Sequence, residues 1–597
     1  MKKLMYVWSL LIIASIVLAA CGAPAATQAP AATDAPPATD APAATDAPTT
    51  EPETGEIPRG GTVVVSEGRQ DIWPKNFNPF SPDPIGGVLR LMYEPLVLFN
   101  PVEGGKPTFW LATDMAYSED LMSVTYNLRE GVKWSDGEDF NADDVVFTID
   151  MILKNPGVDR LGLAAFTESV EKVDDFTVKV NLSEVYTQAA NIIGTQWIVP
   201  EHIWKDIEDP VSFTNETPVA TGPFTEVTNF DPSVYDLCRN EFYWGVGEDG
   251  AQLPYVDCLK YPIYKGNDPA NLALVNGELD WVGNFVPDIE NVYVAKDPEN
   301  FGYYFWPGGG TVQLYFNTTK APFDDVEFRK AVSQAIDYEN VVNTGMYGYT
   351  IPANPTGIGP KHESWISQEA VDKATEMGLG QYDPEAAAAT LDAAGYVDQD
   401  GDGYRDNPDG TPIAFKMQVV TGWTDWVTSV DIMTQGLQDI GLNVTMDSLD
   451  FGVWLENLQK ANFDTSIGWS TSGITPWDFY RNVLDSSLIN VESDVADGQL
   501  WGRWTSEEAD QLLKDFTSTV DEAEQKEIIN QLQSLYVENV VAIPLFPGPT
   551  WYEYNTMRFE GWPTEDNYYA QGSPWETQAR LIVVNSIHCV DNTSCGQ

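Results

Sequence analysis

The residues best placed to do chemistry in this 597-residue sequence are acidic and aromatic rather than nucleophilic. Asp398, Asp400 and Asp402 alternate with Gln399, Gly401 and Gly403 in the spacing of an EF-hand calcium loop. Three carboxylates and a turn glycine can wrap calcium, although Asp409 stands where the usual bidentate Glu would be. The same run also reads as a plain turn, with Asp406 beyond it. A structural calcium is the only cofactor the sequence suggests. Catalysis needs a positioned acid, base or nucleophile. The three histidines, His202, His362 and His588, form no HExxH pair, and no GxSxG elbow or GxxxxGK[ST] loop is present. Gly245–Gly250 (GVGEDG) satisfies GxGxxG. There, however, Glu248 and Asp249 would face the pyrophosphate, and Pro254 breaks the chain soon after. It is read as a turn, and the chain as not an enzyme.

The aromatic content points elsewhere, with 20 Trp in all. An indole can bury the flat C–H face of a pyranose, while Asn, Gln and Asp bond its hydroxyl rim. Trp423, Trp426, Trp551 and Trp562 are candidates for such contacts. Each alone reads more readily as a core residue; the set is what shifts the reading.

The elements that must position these residues come next. A single core stops growing near ~250–300 residues, so two or more lobes are expected. Acidic residues number 90 against 32 basic, a net charge of -58. That field repels nucleic acid and anionic ligands and keeps an exported chain soluble. Lys2 and Lys3 precede an apolar run, Leu4 to Leu18, too short to span a membrane stably. It ends Leu-Ala-Ala-Cys-Gly, which looks like a bacterial lipoprotein cleavage site, so residues 1–21 are a signal peptide with Cys21 as the lipid anchor. Residues 22–58 repeat ATDAP and lack aromatics, so they are expected to be a disordered Ala/Pro/Thr linker. Cys238, Cys258, Cys589 and Cys595 remain, and an even number in an exported chain suggests disulfides. Of three connectivities, Cys238–Cys258 and Cys589–Cys595 close the shortest loops.

Tyr126–Asp150 (YNLREGVKWSDGEDFNADDVVFTID) combines three local signals. Val124, Tyr126 and Leu128 alternate as in a half-buried strand. Ser135-Asp136-Gly137 marks a turn. Asn141 can cap a helix whose apolar face is Val145, Val146, Ile149, Ile152 and Leu153. The wording of this stretch resembles the signature of the family 5 extracellular solute-binding proteins, which serve ATP-driven (ABC) importers. Arg129, Gly131, Val132, Trp134, Ser135, Asp136, Gly137, Ala142, Asp144, Val145 and Val146 fit its pattern. Further matches keep the family order: Asn76 to Pro79, Ile198–Trp204, Thr221 to Phe224, Arg239–Gly245, Gly277 to Asp280 and Tyr315–Asp337.

The resemblance implies an α/β, two-lobed periplasmic-binding-protein-like fold of type II, large class, with an extra inserted subdomain in the first lobe. Residues 59–105 and 212–312 would form lobe I, 106–211 the insert, 313–545 lobe II, and 546–597 a return to lobe I plus a tail. It also implies capture of a solute by hinge closure and delivery to a permease, by a monomer outside the cytoplasm, anchored to the cell membrane at the cell surface or in the periplasm. A sensor docking on a signalling receptor would carry the same signals. In such proteins Trp73, Trp469 and Trp477 fall where the cleft is lined, with Asn76 and Asp478 beside them. Thr475–Arg481 (TPWDFYR) and Phe559–Asn567 (FEGWPTEDN) resemble the members that bind cello- and other β-gluco-oligosaccharides. A peptide is the rival ligand, because an Asp near Asp478 pairs with the peptide ammonium in peptide-binding relatives. Replacing Cys21 with Ser should release the exported protein from membranes; a Cys21→Ser protein that still sediments with membranes refutes the anchor.

Overall fold

The computed structural model describes residues 57–82, 84–490, 494–575 and 578–596. Cys21, the signal peptide and all but the last residues of the linker lie outside the described residues. The signature stretch folds as strand, turn and helix, Ser123–Leu128 and then Ala142–Lys154. At the helix start Asn141 Oδ1 accepts from Asp143 N at 2.8 Å, and Asp144 Oδ2 accepts from Asn141 N at 3.0 Å. The reciprocal pair satisfies donors that the first turn leaves open. Asp144 also accepts from the buried Trp134 Nε1 (3.2 Å) and Glu201 N (3.0 Å), which ties this helix to its surroundings.

Three sheets organise the molecule. The first-lobe sheet runs Phe301–Tyr303, Glu553–Asn555, Trp281–Val282, Thr62–Ser66, Cys258–Pro262, Val234–Arg239, Phe224–Asp231. Thr62–Ser66 lies parallel to both of its neighbours, as a central strand must when crossovers separate its partners. Cys258 faces Cys238 across an antiparallel pair and the two are disulfide-bonded; Cys589 is bonded to Cys595. A four-stranded sheet from residues 112–182 forms the insert. Its inward set, Val124, Tyr126, Leu128, Val178, Val180 and Leu182, joins the same apolar core as Val63, Val65 and Trp281, so the insert shares the first lobe's core.

The second lobe has its own core and a five-stranded sheet ordered Asn443–Leu449, Ala414–Val420, Thr465–Gly468, Thr311–Phe316, Ala542–Pro547. The helix Val326–Gln334 begins where Asp325 Oδ1 accepts from Glu327 N, and buries Phe328, Ala331 and Val332. Two further helices, Glu507–Ser518 and Glu522–Glu538, follow one another, the second capped by Asp521.

The chain crosses between lobes twice, at residues 304–310 and 548–552. The strand Thr311–Phe316 therefore lies wholly in the second lobe. The crossings run side by side, with Tyr304 N donating to Tyr552 O (3.0 Å), Thr550 N to Trp306 O (3.1 Å) and Gly548 N to Gly310 O (2.9 Å). Gly309 and Gly310 are required there, since a Cβ would stand 2.3 Å from Gly548 O and 1.7 Å from Ser470 O respectively. The lobes are shut on each other. Trp423 Nε1 donates to Gly68 O (3.3 Å), Asn267 N to Gly422 O (3.0 Å) and Gly452 N to Asp71 Oδ2 (2.7 Å). From the insert, Arg160 pairs with Asp497 at 2.7 Å and Glu184 with Lys514 at 2.6 Å.

Several carboxyls are buried in the first lobe. Glu94 accepts from Trp110 Nε1 (2.5 Å) and Trp244 Nε1 (3.0 Å), yet burial pushes it up to about 7. Asp280 accepts from Val64 N at 2.8 Å and pairs with Arg558, and burial still lifts it to about 6. In the unfolded chain the ordinary values are 4.5 and 3.8. Between those values and about 6–7 the native state holds protons that the unfolded state has lost, so stability falls as pH rises through that window. Each group is worth roughly 3 kcal/mol across it. The melting temperature should therefore rise as pH is lowered from 8 to 5, and Glu94→Gln should flatten the profile. A melting temperature that drops over that range would refute the assignment.

Candidate ligand-binding site

A cavity of about 690 Å³ lies between the lobes, with both crossing segments in its wall. That volume is within the ~300–1,000 Å³ of small-molecule sites. The second-lobe wall is aromatic. Trp423 and Trp426 open the helix Thr424–Asp439, Phe451 opens Phe451–Gln459, and Trp469 follows the strand Thr465–Gly468. Phe451 and Trp469 stack at 6.3 Å and 16°, and Trp423 meets Trp426 edge-on at 5.1 Å. Behind them the fully buried Trp454 touches Trp423, Trp426 and Trp469, and its Nε1 donates to Ser466 Oγ at 2.9 Å. Rings packed edge-to-face on one another gain beyond their area and hold one orientation. The wall therefore offers preformed flat apolar plates. Trp551, from the second crossing, adds another plate that packs on Phe285 at 5.4 Å.

Polar groups punctuate this surface. Asp425, in the first turn after Trp423, is 4% exposed. Burial lifts its carboxyl to about 6, against hydrogen bonds from the Trp426 and Asp425 backbone and from the Asn267 and Trp551 side chains. The first-lobe Asn267 Nδ2 donates to the neighbouring Thr424 Oγ1 at 3.3 Å. Asp478 also lines the cavity, but its Oδ2 accepts from Ile474 N (2.7 Å) and Thr475 N (3.0 Å), capping the helix Pro476–Leu484. Burial raises its carboxyl despite those bonds and the charges of Arg481 and Lys361. Lys361 Nζ donates to Gly473 O at 2.6 Å, and Arg481 Nη2 to Leu161 O at 3.0 Å. Glu67 is held by Arg580 at 3.1 Å.

The structure gathers Trp423, Trp426, Trp469, Asp478 and Trp551 on one wall and removes four expected residues from it. Trp73 is 3% exposed in the first-lobe core, edge-on to Tyr235 at 5.2 Å, with Nε1 donating to Tyr261 O. Asn76 closes a local turn, its Oδ1 accepting from Asn78 N. Trp477 is 1% exposed, stacked on Phe516, with Nε1 donating to Leu513 O at 3.0 Å. It sits one residue before Asp478 and so on another face of the same helix. Trp562 is buried between Trp281 and Tyr554, and its Nε1 donates to Phe559 O. Phe451, Asp425, Asn267, Asn284 and Trp575 reach the cavity without having been singled out. For Phe451 and Asp425 the one available signal was their position at helix starts among aromatics.

The acidic turn is also rearranged. The carboxylates that converge within 4.8 Å are Asp398, Asp400 and Asp406, so Asp406 replaces Asp402 in any ion-binding set. Asp402 Oδ1 instead accepts from Tyr404 N at 2.8 Å. Asp398 accepts from Gly401 N and Gly403 N, and Asp406 from Gln399 N, so backbone N–H groups hold the turn. The GxGxxG run forms a turn between residues 246 and 252, with no helix after it.

Known proteins place this geometry in a family. Residues 106–490 match the model of the bacterial extracellular solute-binding proteins, family 5 middle region. A periplasmic alpha-galactoside-binding protein of Rhizobium meliloti is 24% identical, over 83% of this chain and 78% of its own. The oligopeptide-binding protein OppA of Bacillus subtilis is 22% identical, over 84% and 92%. A periplasmic oligopeptide-binding protein of an ABC transporter from Thermotoga maritima, solved with mannohexaose bound, superposes with a TM-score of 0.83. It is 28% identical, covering 89% of this chain and 99% of that one. Among the described residues no helix is long and apolar enough to cross a membrane. The chain belongs to the family 5 bacterial extracellular solute-binding proteins, two-lobed and non-enzymatic, and is the solute-binding component of an ABC importer.

Proposed function

We propose that the solute is a neutral oligosaccharide, gripped between the lobes and passed to the permease by a protein tethered through a lipid on Cys21. The observation that carries this reading is the aromatic second-lobe wall, Trp423, Trp426, Phe451 and Trp469, with Trp551 beside it. Flat apolar plates with amide and carboxylate groups between them suit a pyranose chain, which has two apolar faces and a polar rim. The charges support a neutral ligand. Among the lining residues Lys361 and Arg481 are the basic ones, and both are spent on carbonyl oxygens, where a peptide carboxylate would want a cation. Asp478, the group that would meet a peptide ammonium, is occupied in capping its helix. The relatives that bind an alpha-galactoside or mannohexaose agree with this choice. An oligopeptide is the second reading, favoured by the oligopeptide-binding relative and by the carboxylates of Glu67, Asp425 and Asp478 on the wall.

Closure provides the mechanism. A ligand that bridges plates on both lobes binds the shut state better than the open one, and only that difference shifts the equilibrium.

Calorimetry with manno- and cello-oligosaccharides against a pool of short peptides decides between the two readings. Binding to sugars and none to peptides is expected; the reverse overturns the proposal. Trp469→Ala and Trp423→Ala should each weaken sugar binding by about 1–3 kcal/mol with the fold intact. Trp477→Ala should behave oppositely. It removes a core ring and should cost about 3–5 kcal/mol of stability, seen in thermal or urea melts, while the folded fraction keeps its affinity.

A further inference from the structure

The family match ends at residue 490, but the cavity wall does not. Trp551 and, further on, Gln571, Trp575 and Gln578 complete it from the C-terminal segment. Trp575 differs from the other first-lobe rings on the wall: it is 37% exposed, against 4% for Phe99 and 5% for Phe285. Its indole lies against the backbone of Gly283, where a Cβ would stand 2.6 Å from Trp575 Nε1. A side chain at position 283 would push the ring away, so the glycine sets how Trp575 is presented.

The next residue is Asn284, which follows directly from the first-lobe strand Trp281–Val282. It is 2% exposed and lies on the cavity wall. Its backbone N–H donates to Glu553 Oε2 at 3.2 Å, which anchors the main chain. Its Nδ2 has no hydrogen-bond partner among the described residues. Buried amides are almost always paired, and an unpaired one calls for a partner the chain itself does not supply. Strand, glycine, amide and exposed indole are thus brought together by two segments nearly 300 positions apart in the sequence.

We propose that Trp575 and Asn284 form a first-lobe subsite for one pyranose unit, with the indole covering its C–H face and the Asn284 amide donating to one of its oxygens. This rests on the carbohydrate reading and adds the residues that set specificity on the first lobe, opposite in kind to the ring-rich second-lobe wall. It also places part of the ligand selection in the C-terminal segment, past residue 490, where the match to the family's middle region ends.

The test uses the mature full-length chain, calorimetry with mannohexaose and cellohexaose, and thermal melts of each variant. Trp575→Ala and Asn284→Ala should each weaken binding of the sugar that wild type takes by about tenfold. Trp575→Phe, which keeps a flat ring, should recover most of that loss. Asn284→Ala should leave the melting temperature unchanged or raised, because it removes an unpaired buried donor; a residue with only a structural role would lower it. If wild type binds either sugar and both alanine variants bind it equally well, the subsite is wrong and the carbohydrate reading stands. If wild type binds neither sugar but takes peptides, the reading fails and the subsite falls with it.

Discussion

The close backbone contact between the two crossing segments is the constraint on which the rest depends. Gly309 and Gly310 let one crossing lie against Gly548 and Ser470 at distances no side chain would permit. Main-chain hydrogen bonds then join the crossings like a short ladder. Both lobes are built outward from these segments, and the same segments are part of the cavity wall. A solute in that cavity would touch both crossings, which is how the proposed reading couples binding to closure.

The two walls of the cavity are made differently. The second-lobe wall is a cluster of rings supported by buried rings, with Trp454 and Trp501 behind Trp469. Such packing fixes orientation before any ligand arrives, which lowers the entropy lost on binding. The first-lobe wall is sparser and more polar, with Asn267 and Asn284 near Phe285 and Trp575. Thr424 links the two: its hydroxyl accepts from the first-lobe Asn267 Nδ2 at 3.3 Å. The many acidic groups of this chain serve different ends. Most are exposed and maintain the charge of the surface, whereas Glu94 and Asp280 are buried and hold particular donors in place.

Helix and strand signals were local, and local signals survived folding. Thr62–Ser66, the capped helix after Asn141 and the helix after Asp325 all follow from spacing and capping residues in the sequence. The tryptophans were harder. Trp469 and Trp477 are eight residues apart in one motif, yet one faces the cavity and the other the core. A loop, 469–475, separates them: Trp469 follows the strand Thr465–Gly468, whereas Trp477 stands on the helix Pro476–Leu484, where Phe516 and Leu513 of a later helix enclose it. Trp73 was misplaced for a similar reason: Tyr235 and Tyr261, far along the chain, fold over it.

By itself the sequence indicated the class of protein, through motifs such as Tyr126–Asp150 that resemble the family's, and showed an acidic, tryptophan-rich composition. It did so because motifs, periodicity and capping act over a few residues. Only the tertiary structure decided which rings face the cavity, that Asp406 rather than Asp402 closes the acidic turn, and that Asn284 and Trp575 line one cavity. Those choices depend on which distant segment fills the space beside a side chain, and no local rule encodes that.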